Sequence, residues 1–158
     1  MGSFTRKAAY HFGWDWGPRF VTLGIWKPVY LKFYNEVKIN HVLTETKEIN
    51  EDFAIQEFHI EIESGLTLSD YHLRIGDSLF SIELKEGINN ISASIQINHP
   101  KLWWTHDHGN PYLYTENITL SKNNQNIDNQ LIKYGIRQVK LINETDSIGT
   151  SFYFKLNG

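Results

Sequence analysis

The stretch FHIEIE, residues 58–63, alternates apolar and polar side chains at every position. Successive side chains of a β-strand point to opposite faces, so Phe58, Ile60 and Ile62 would share one face. An apolar face backed by a polar one is typical of an antiparallel strand that is buried on one side and solvated on the other. The stretch therefore predicts a half-buried strand of an all-β protein.

The same alternation recurs in ISASIQIN at 91–98, YHLRI at 71–75 and FSIEL at 80–84, whereas no apolar stripe follows helical spacing. Turn-forming stretches separate these runs at intervals of roughly ten residues, as in a β-sandwich or barrel. We expect about seven strands, at residues 37–44, 53–63, 69–75, 78–84, 90–98, 112–121 and 131–142. The predicted fold is an all-β, immunoglobulin-like antiparallel sandwich.

The composition of the 158 residues excludes several classes of protein. The formal net charge of −3, with Lys and Arg scattered, argues against a nucleic-acid-binding surface, which needs a basic face. No apolar run approaches the roughly 20 residues of a membrane span, so no membrane partner is expected. The chain has no cysteine, which excludes disulfides and thiolate metal sites and leaves the cellular compartment open.

A second stretch, YHFGWDWGPRF at 10–20, is the strongest candidate for a binding site. Trp14 and Trp16 offer flat apolar faces to sugar C–H groups, and Asp15 between them can accept hydrogen bonds from sugar hydroxyls. Arg19 is expected to hold Asp15 in place. The alternative is a loop whose tryptophans plug a core, and composition alone favours this second interpretation because buried aromatic residues usually pack.

Two other groups of polar residues carry weaker signals. His106 and His108 in WWTHDHGNP have the spacing that begins a metal site, but no further ligand is marked, and a turn is the preferred interpretation. The glutamates of the strand at 53–63 are expected to form its solvated face rather than a catalytic pair. We predict no metal and no cofactor. The three glutamates of the strand at 53–63 are Glu57, Glu61 and Glu63.

Several motifs, taken together and in order, resemble the β-mannosidases of glycoside hydrolase family 2. They are RKAAYHFGWDWGPRF at 6–20, GIWKPVYL at 24–31, LWW at 102–104 with HGNPYLY at 108–114, YGIRQVKL at 134–141 and FYFKLNG at 152–158. GIWKPVYL and YGIR resemble motifs shared across the family, including its β-galactosidases and β-glucuronidases. The FGWDWGPR run resembles the mannosidase branch specifically.

The resemblance implies a domain organisation and an activity for a longer parent protein. Residues 1–35 would be the last strands of a sugar-binding jelly roll, residues 36–142 the sandwich, and residues 143–158 the lead into a catalytic (β/α)8 barrel. The parent would be a retaining exo-β-mannosidase whose two glutamates lie on the barrel. Both glutamates are expected beyond Gly158, so no residue here receives a catalytic role.

The family's W-D-W loop helps bind the terminal mannose, and by position this implies substrate contacts for Trp14, Asp15 and Trp16. A β-mannoside would then be the partner of the full-length parent. Other classes remain open: a free-standing carbohydrate-binding module, another family 2 glycosidase, or a sandwich that serves only as a structural or interaction domain. We expect the aromatic side chains of residues 1–35 to be exposed in this chain and to cause self-association or disorder of that segment.

Overall fold

The structure, a computed structural model, describes residues 6–158. The first residues of the predicted jelly-roll segment, 1–5, lie outside the described residues. The chain divides into two compact units, Met1–Phe33 and Tyr34–Gly158. No helix among the described residues has the length and apolar character that crossing a membrane requires.

The second unit is built from antiparallel strands. The strands are β1 (Val37–Ile49), β2 (Phe53–Ser64), β3 (Leu68–Ile75), β4 (Ser78–Leu84), β5 (Gly87–Asn98), β6 (Tyr114–Lys122), β7 (Gln125–Tyr134), β8 (Val139–Ile142) and β9 (Tyr153–Leu156). One sheet has the order β1-β2-β5 and another has the order β4-β3-β6-β7. The predicted all-β sandwich is therefore confirmed, and β8 pairs with β9 in a separate two-stranded ribbon.

Strand β2 is the centre of the three-stranded sheet, because it pairs with β1 along one edge and with β5 along the other. Every second side chain from Ala54 to Ser64 is buried, in the alternation that the sequence predicts. Phe58 and Ile62 are fully buried, and Ile60 is almost so. The inner face of β2 thus forms one wall of the hydrophobic core.

The four-stranded sheet provides the opposite wall of that core. Alternate residues of β3 and β6 are buried, as expected for strands with one face inside. The members of the core that come from this sheet are Tyr71, Leu73, Ile75, Leu84, Ile118, Leu120 and Tyr134. The Tyr134 ring meets Phe58 of the other sheet edge to face, with ring centroids 5.5 Å apart, which joins the two walls.

A two-residue turn joins β6 to β7. Lys122 pairs with Gln125, and the two residues between them, Asn123 and Asn124, have positive φ angles of 49° and 62°. Two consecutive positive φ values define the type I′ hairpin turn, whose twist matches that of the flanking strands. Asparagine tolerates this conformation better than other non-glycine residues, which explains the Asn-Asn pair at this point.

The single strand predicted at 131–142 is wrong, because two strands occupy this region and the backbone leaves the sheet between them. β7 begins at Gln125 and ends at Tyr134, and β8 begins only at Val139. In the intervening residues, the Ile136 carbonyl accepts a hydrogen bond from the Trp103 amide, and Gln138 bonds to Asn157. These backbone groups are therefore satisfied by other segments of the chain rather than by β6.

The additional N-terminal strands that the resemblance implies are not formed among residues 6–36. This part of the chain contains a 3-10 helix, Ala9–Phe12, and an isolated bridge between Trp14 and Gly17. A strand needs a neighbour for its backbone hydrogen bonds, and no described strand pairs with residues 20–34. Large apolar side chains of this segment, including Leu23, Trp26 and Phe33, are consequently exposed.

The ribbon of β8 and β9 lies in the same compact unit as the sandwich. Val139 pairs with Leu156 and Leu141 with Phe154, so most of the FYFKLNG motif lies in an extended strand. Two parts of the domain organisation stay predictions. One is that residues 143–158 lead into a barrel, and the other is that residues 1–35 and 36–142 are distinct domains of a parent protein.

Candidate functional site

The W-D-W loop is built around a tight turn. The 3-10 helix ends at Phe12, and Gly13 follows with φ 130°, a conformation that favours glycine. The Gly17 amide then donates to the Trp14 carbonyl at 3.3 Å, which closes a turn with Asp15 and Trp16 at its tip. Asp15 and Trp16 therefore occupy the two central positions of the turn, where both residues are exposed.

The side chains of this loop are open to solvent. Trp14 is 59% exposed and Trp16 87%, so the tryptophans do not plug a core within their unit. A shallow apolar cavity of about 430 Å³ is lined by Tyr10, Trp14, Trp16, Gly17 and Pro18. The loop thus offers aromatic faces and a free carboxylate, which is the chemistry of a sugar contact.

The expected contact between Arg19 and Asp15 is wrong for the described structure. Neither a hydrogen bond nor an ion pair joins the two side chains, and Asp15 is exposed. The turn places Asp15 at its tip, whereas Arg19 follows Pro18, whose fixed φ directs the backbone out of the turn. The role of Trp14, Asp15 and Trp16 in binding substrate stays a prediction.

The predicted turn interpretation of WWTHDHGNP agrees with the local geometry. The amides of His108 and Gly109 both donate to the Thr105 carbonyl at 3.0 Å, and the Thr105 hydroxyl lies 2.9 Å from Nδ1 of His108. Gly109 fits closely against Trp104, because a Cβ at that position would lie 3.0 Å from the Trp104 Cβ and Cγ. The His108 ring is therefore engaged within the turn through its contact with the Thr105 hydroxyl.

A different group of residues brings metal-ligating atoms together on the outer face of β1 and β2. The ligand atoms of Glu45, Glu57 and His59 all lie within 4.8 Å of one another. However, Lys47 Nζ lies 2.7 Å from Glu45 and 2.9 Å from Glu57, and it supplies the positive charge that a cation would bring. This cluster was not anticipated from the sequence, because its members come from two strands.

The three glutamates of β2 belong to polar pairs, as expected for a solvated face. Glu57 pairs with Lys47, while Glu61 and Glu63 both accept hydrogen bonds from Asn40 at 3.1 Å. The hydrogen bond from Asn40 lowers the pKa of Glu63, and the neighbouring Lys38 lowers it further. The lowered pKa keeps the Glu63 carboxyl ionised, which does not suit a general acid.

The ion pair between Glu45 and Lys47 gives a prediction for acid stability. The Lys47 ammonium lowers the pKa of Glu45 below its ordinary value of 4.5, so the folded state binds this proton less readily than the unfolded state. The stabilisation is therefore present above pH 4.5 and is lost as the pH falls through the folded-state pKa. We expect Glu45→Gln to lower the urea midpoint at pH 7, and the difference from the wild type to vanish at pH ~3.

Glu51→Gln is the matched control, because Glu51 is exposed and makes no ion pair among the described residues. Its urea midpoint should equal that of the wild type at both pH values. A difference between wild type and Glu45→Gln that persists undiminished at the low pH would contradict this assignment.

Trp103 is the centre of a junction between the sandwich and the ribbon. Its amide donates to the Ile136 carbonyl at 2.8 Å, and the Arg137 guanidinium lies 4.7 Å from the centre of its ring. Asn157, at the end of β9, donates from Nδ2 to the Trp103 carbonyl and accepts at Oδ1 from the Gln138 amide, both at 3.0 Å. One amide side chain thus connects three segments that are distant in the sequence.

We expect Asn157→Gly to lower the free energy of unfolding by about 1–2 kcal/mol, because two partly buried backbone groups lose their partner. Glycine retains the positive φ of 58° at this position, so backbone strain does not contribute. Asn124→Gly is the control, since Asn124 has a φ of 62° and its side chain makes no hydrogen bond to any other described residue. Equal urea midpoints for the two variants would refute the role of the Asn157 side chain.

A cleft of about 450 Å³ opens beside this junction. β1 and β2 provide one side, and the Trp103 segment and the residues that link β7 to β8 provide the other. The lining residues are Thr44, Glu45, Thr46, Gln56, Trp103, Leu113, Lys133, Tyr134, Gly135, Arg137 and Val139. The sequence did not predict this cleft, because its walls come from four separate segments.

Comparison with known proteins gives the affiliation of the chain. The family described as "Glycosyl hydrolases family 2" matches residues 36–137, and "Glycosyl hydrolase 2 galactose-binding domain-like" matches residues 1–27. A protein named beta-mannosidase B from Aspergillus oryzae is 34% identical over 161 residues. The alignment covers 97% of this chain and 19% of that relative. The beta-mannosidase B of Emericella nidulans is 32% identical over 160 residues, again covering 19% of the relative.

Solved structures agree with the sequence comparison. The beta-D-mannosidase of Dictyoglomus thermophilum is similar over 98% of this chain, with a TM-score of 0.81 and 34% identity, and the match covers 20% of that chain. A putative beta-galactosidase from Bacteroides fragilis is similar with a TM-score of 0.58 and 19% identity, which shows a shared fold alone. This chain spans about a fifth of the length of the mannosidases that it matches.

The two-sheet sandwich and the matches over its length define a domain of the glycoside hydrolases. Within that class the chain belongs to glycosyl hydrolases family 2. The predicted resemblance to the β-mannosidases of the family is confirmed by relatives with that name and by the Dictyoglomus structure.

Proposed function

We propose that the chain is a non-catalytic part of a retaining exo-β-mannosidase that removes terminal, non-reducing β-D-mannose from oligosaccharides or glycoconjugates. The observation that carries the proposal is the similarity over almost the whole chain to proteins named β-mannosidase, at 34% identity and with a TM-score of 0.81. The W-D-W loop adds chemical support, because it exposes two indole rings and a carboxylate at one turn.

In this proposal Trp14, Asp15 and Trp16 contact the terminal sugar in the parent enzyme. The carboxylate would orient sugar hydroxyls through charge-assisted hydrogen bonds, and the rings would cover the apolar face of the sugar. The sandwich would act as a rigid spacer that positions the sugar-binding domain against a catalytic barrel. Its two sheets share one hydrophobic core, which gives such a spacer its stiffness.

The chain alone is expected to hydrolyse nothing. Retaining hydrolysis needs two carboxyl groups about 5–5.5 Å apart on either side of the scissile bond. Among the described residues, the neighbouring carboxylates on the outer sheet face already have polar partners: Lys47 bridges Glu45 and Glu57, and Asn40 donates to Glu61 and Glu63. Incubation with p-nitrophenyl β-mannoside should release no p-nitrophenol above the buffer rate, and turnover that survives repurification would overturn this part of the proposal.

The role of Asp15 is tested in a hybrid enzyme. This chain would replace the matching fifth of the Dictyoglomus β-mannosidase, with which it shares its fold. We expect Asp15→Ala to reduce kcat/KM for p-nitrophenyl β-mannoside by at least ~10-fold, because a charge-assisted hydrogen bond to the substrate is lost. Asp77→Ala, at an exposed acid in the turn between β3 and β4, is the control and should leave kcat/KM unchanged.

The substrate specificity of the hybrid is read from the same assay. β-Galactosides and β-glucuronides serve as competing substrates, because other members of family 2 act on different sugars. Preference for either of them over the β-mannoside would replace the proposed activity by that of another family 2 glycosidase. An unchanged kcat/KM in the Asp15→Ala hybrid would instead remove the W-D-W loop from the substrate site.

A second candidate function is a free-standing carbohydrate-binding module, which the exposed aromatic cavity around Trp14 and Trp16 favours. Titration calorimetry of the chain with mannose and manno-oligosaccharides distinguishes the two functions. We expect no binding tighter than millimolar, because half a site returns little net free energy after the cost of association. Micromolar binding that Asp15→Ala abolishes would establish the module.

A further inference from the structure

Asn157 and Gly158 form the one Asn-Gly pair in the sequence. Glycine has no Cβ, so its backbone nitrogen can approach the side chain of the preceding residue with little steric hindrance. Every other asparagine of the chain is followed by a residue that carries a side chain. Asn157 is therefore the asparagine whose Cγ is most open to attack by the amide nitrogen of the next residue.

The surroundings of Gly158 are open. The residue is exposed and has a φ of 100°, and a Cβ built on it would meet no atom within 4 Å. No described residue accepts a hydrogen bond from the Gly158 amide. Water and base can therefore reach this nitrogen from solvent.

The Asn157 side chain, in contrast, is held in the junction around Trp103. Its Oδ1 accepts from the Gln138 amide and its Nδ2 donates to the Trp103 carbonyl, both at 3.0 Å. The Asn157 amide also donates to the Gln138 carbonyl at 2.8 Å. Turning the carboxamide toward the Gly158 nitrogen breaks the two side-chain hydrogen bonds. The attack therefore requires the junction to open locally.

We propose that Asn157 is a site of spontaneous deamidation, that opening of the junction controls its rate, and that the modification prevents the junction from closing again. In the reaction the Gly158 nitrogen loses its proton and bonds to the Asn157 Cγ. The bond from Cγ to Nδ2 breaks, and Nδ2 leaves as ammonia with a proton from the medium. Water then opens the resulting cyclic imide at either of its carbonyls. The products are aspartate and β-linked isoaspartate.

Neither product can rebuild the junction. A carboxylate accepts hydrogen bonds but donates none, so the Gln138 amide keeps a partner while the Trp103 carbonyl loses its donor. That carbonyl would then face a negatively charged oxygen, and isoaspartate would also displace the chain by its additional methylene. The ladder between β8 and β9 does not include Asn157 and stays paired. The ribbon thus survives the modification but loses this attachment to the Trp103 segment. The inference goes beyond the proposed function and does not depend on it.

Asn124 provides a control within the same chain. Its φ of 62° is close to the 58° of Asn157, and its side chain makes no hydrogen bond to any other described residue. Asn124 is followed by Gln125, whose side chain hinders the attack that glycine permits. A comparison of the two asparagines therefore separates the effect of the following residue from that of a free side chain.

The proposal is tested by incubating the folded chain and a peptide of sequence FYFKLNG, residues 152–158, at mildly alkaline pH. Mass spectrometry after proteolysis follows the conversion of each amide to an acid. Asn157 should convert at least ~10-fold more slowly in the chain than in the peptide, because only the open junction reacts. It should nevertheless convert faster than Asn124. Equal rates in chain and peptide, or conversion of Asn157 no faster than that of Asn124, would overturn the proposal.

Two variants test the control by the junction. Gly135→Ala crowds Trp103, so the junction should open more often and Asn157 should convert at least ~3-fold faster than in the wild type. Gly149→Ala, where a Cβ meets no atom within 4 Å, should convert at the wild-type rate. Equal conversion rates in the two variants would refute the control by opening.

A further measurement does not depend on the folding of Gly135→Ala. Asn157→Asp carries the carboxylate of one product, and amide hydrogen exchange is compared with that of the wild type and of the deamidated chain. The amides of Trp103 and of residue 157 should exchange at least ~10-fold faster in Asn157→Asp and in the deamidated chain. Amides in the centre of β2 should be unchanged. Exchange at Trp103 and at residue 157 as slow as in the wild type would show that the modified junction still closes, which overturns the proposal.

Discussion

Replacing Phe58 by alanine is expected to lower the free energy of unfolding by about 3–5 kcal/mol, the range for truncating a fully buried phenylalanine. Phe58 is 0% exposed at the centre of β2, and its ring meets Tyr134 of the opposite sheet edge to face. The substitution removes this contact and leaves a cavity between the sheets. Because most small domains are stable by only 5–15 kcal/mol, the variant should lose a large part of its total stability.

Urea unfolding followed by far-ultraviolet circular dichroism measures this effect. Phe154→Ala is the matched control, since it truncates the same residue type at a position that is 69% exposed. The free energy of unfolding of Phe154→Ala should lie within about 0.5 kcal/mol of the wild-type value, as for most surface substitutions. A Phe58→Ala variant as stable as Phe154→Ala would mean that the two sheets do not pack through β2.

Gly135→Ala is expected to destabilise the chain by about 3 kcal/mol, at the upper end of the range for overpacking. A Cβ at this position would lie 2.8 Å from the Trp103 Cβ and Cγ, which is closer than real atoms approach. Trp103 cannot readily move away, because its amide is bonded to Ile136 and its carbonyl to Asn157. The junction must therefore distort or separate.

Gly149→Ala is the control for this substitution, because a Cβ there would meet no atom within 4 Å. Its stability should equal that of the wild type or exceed it slightly, since alanine restricts the unfolded chain more than glycine does. Gly109→Ala should fall between the two, with its closest contacts at 3.0 Å from Trp104. Thermal unfolding midpoints in any other order would contradict the packing described at Trp103.

The sandwich could be predicted from the sequence because most of its strands alternate apolar and polar residues. In β2 every inward residue from Phe58 to Ile62 is apolar and every outward one is polar, so local side-chain chemistry alone reveals the face. β7 was harder, since its first residues read QNIDNQ and show no alternation. β7 pairs with β6 through the Asn-Asn turn. It ends at Tyr134, shortly before the Ile136 carbonyl accepts a hydrogen bond from the Trp103 amide.

The departures from prediction lie where distant segments meet. The strand expected through 131–142 breaks because Ile136 and Gln138 bond to Trp103 and Asn157, which no local pattern foretells. The cleft and the cluster around Lys47 were missed for the same reason, since each joins residues from separate strands. The W-D-W loop was recognised by its unusual composition, yet composition alone favoured a buried plug, and the tryptophans are exposed.

The position of β2 between β1 and β5 limits how this strand can change during evolution. A deletion of one residue at its centre would turn the inward residues on one side of the gap, such as Ile60 and Ile62, outward and bring the charged Glu61 into the core. Substitutions on the outer face carry no such penalty. Descendants of this gene should therefore vary freely in what β2 presents to solvent, while the number of residues from Ala54 to Ser64 stays constant.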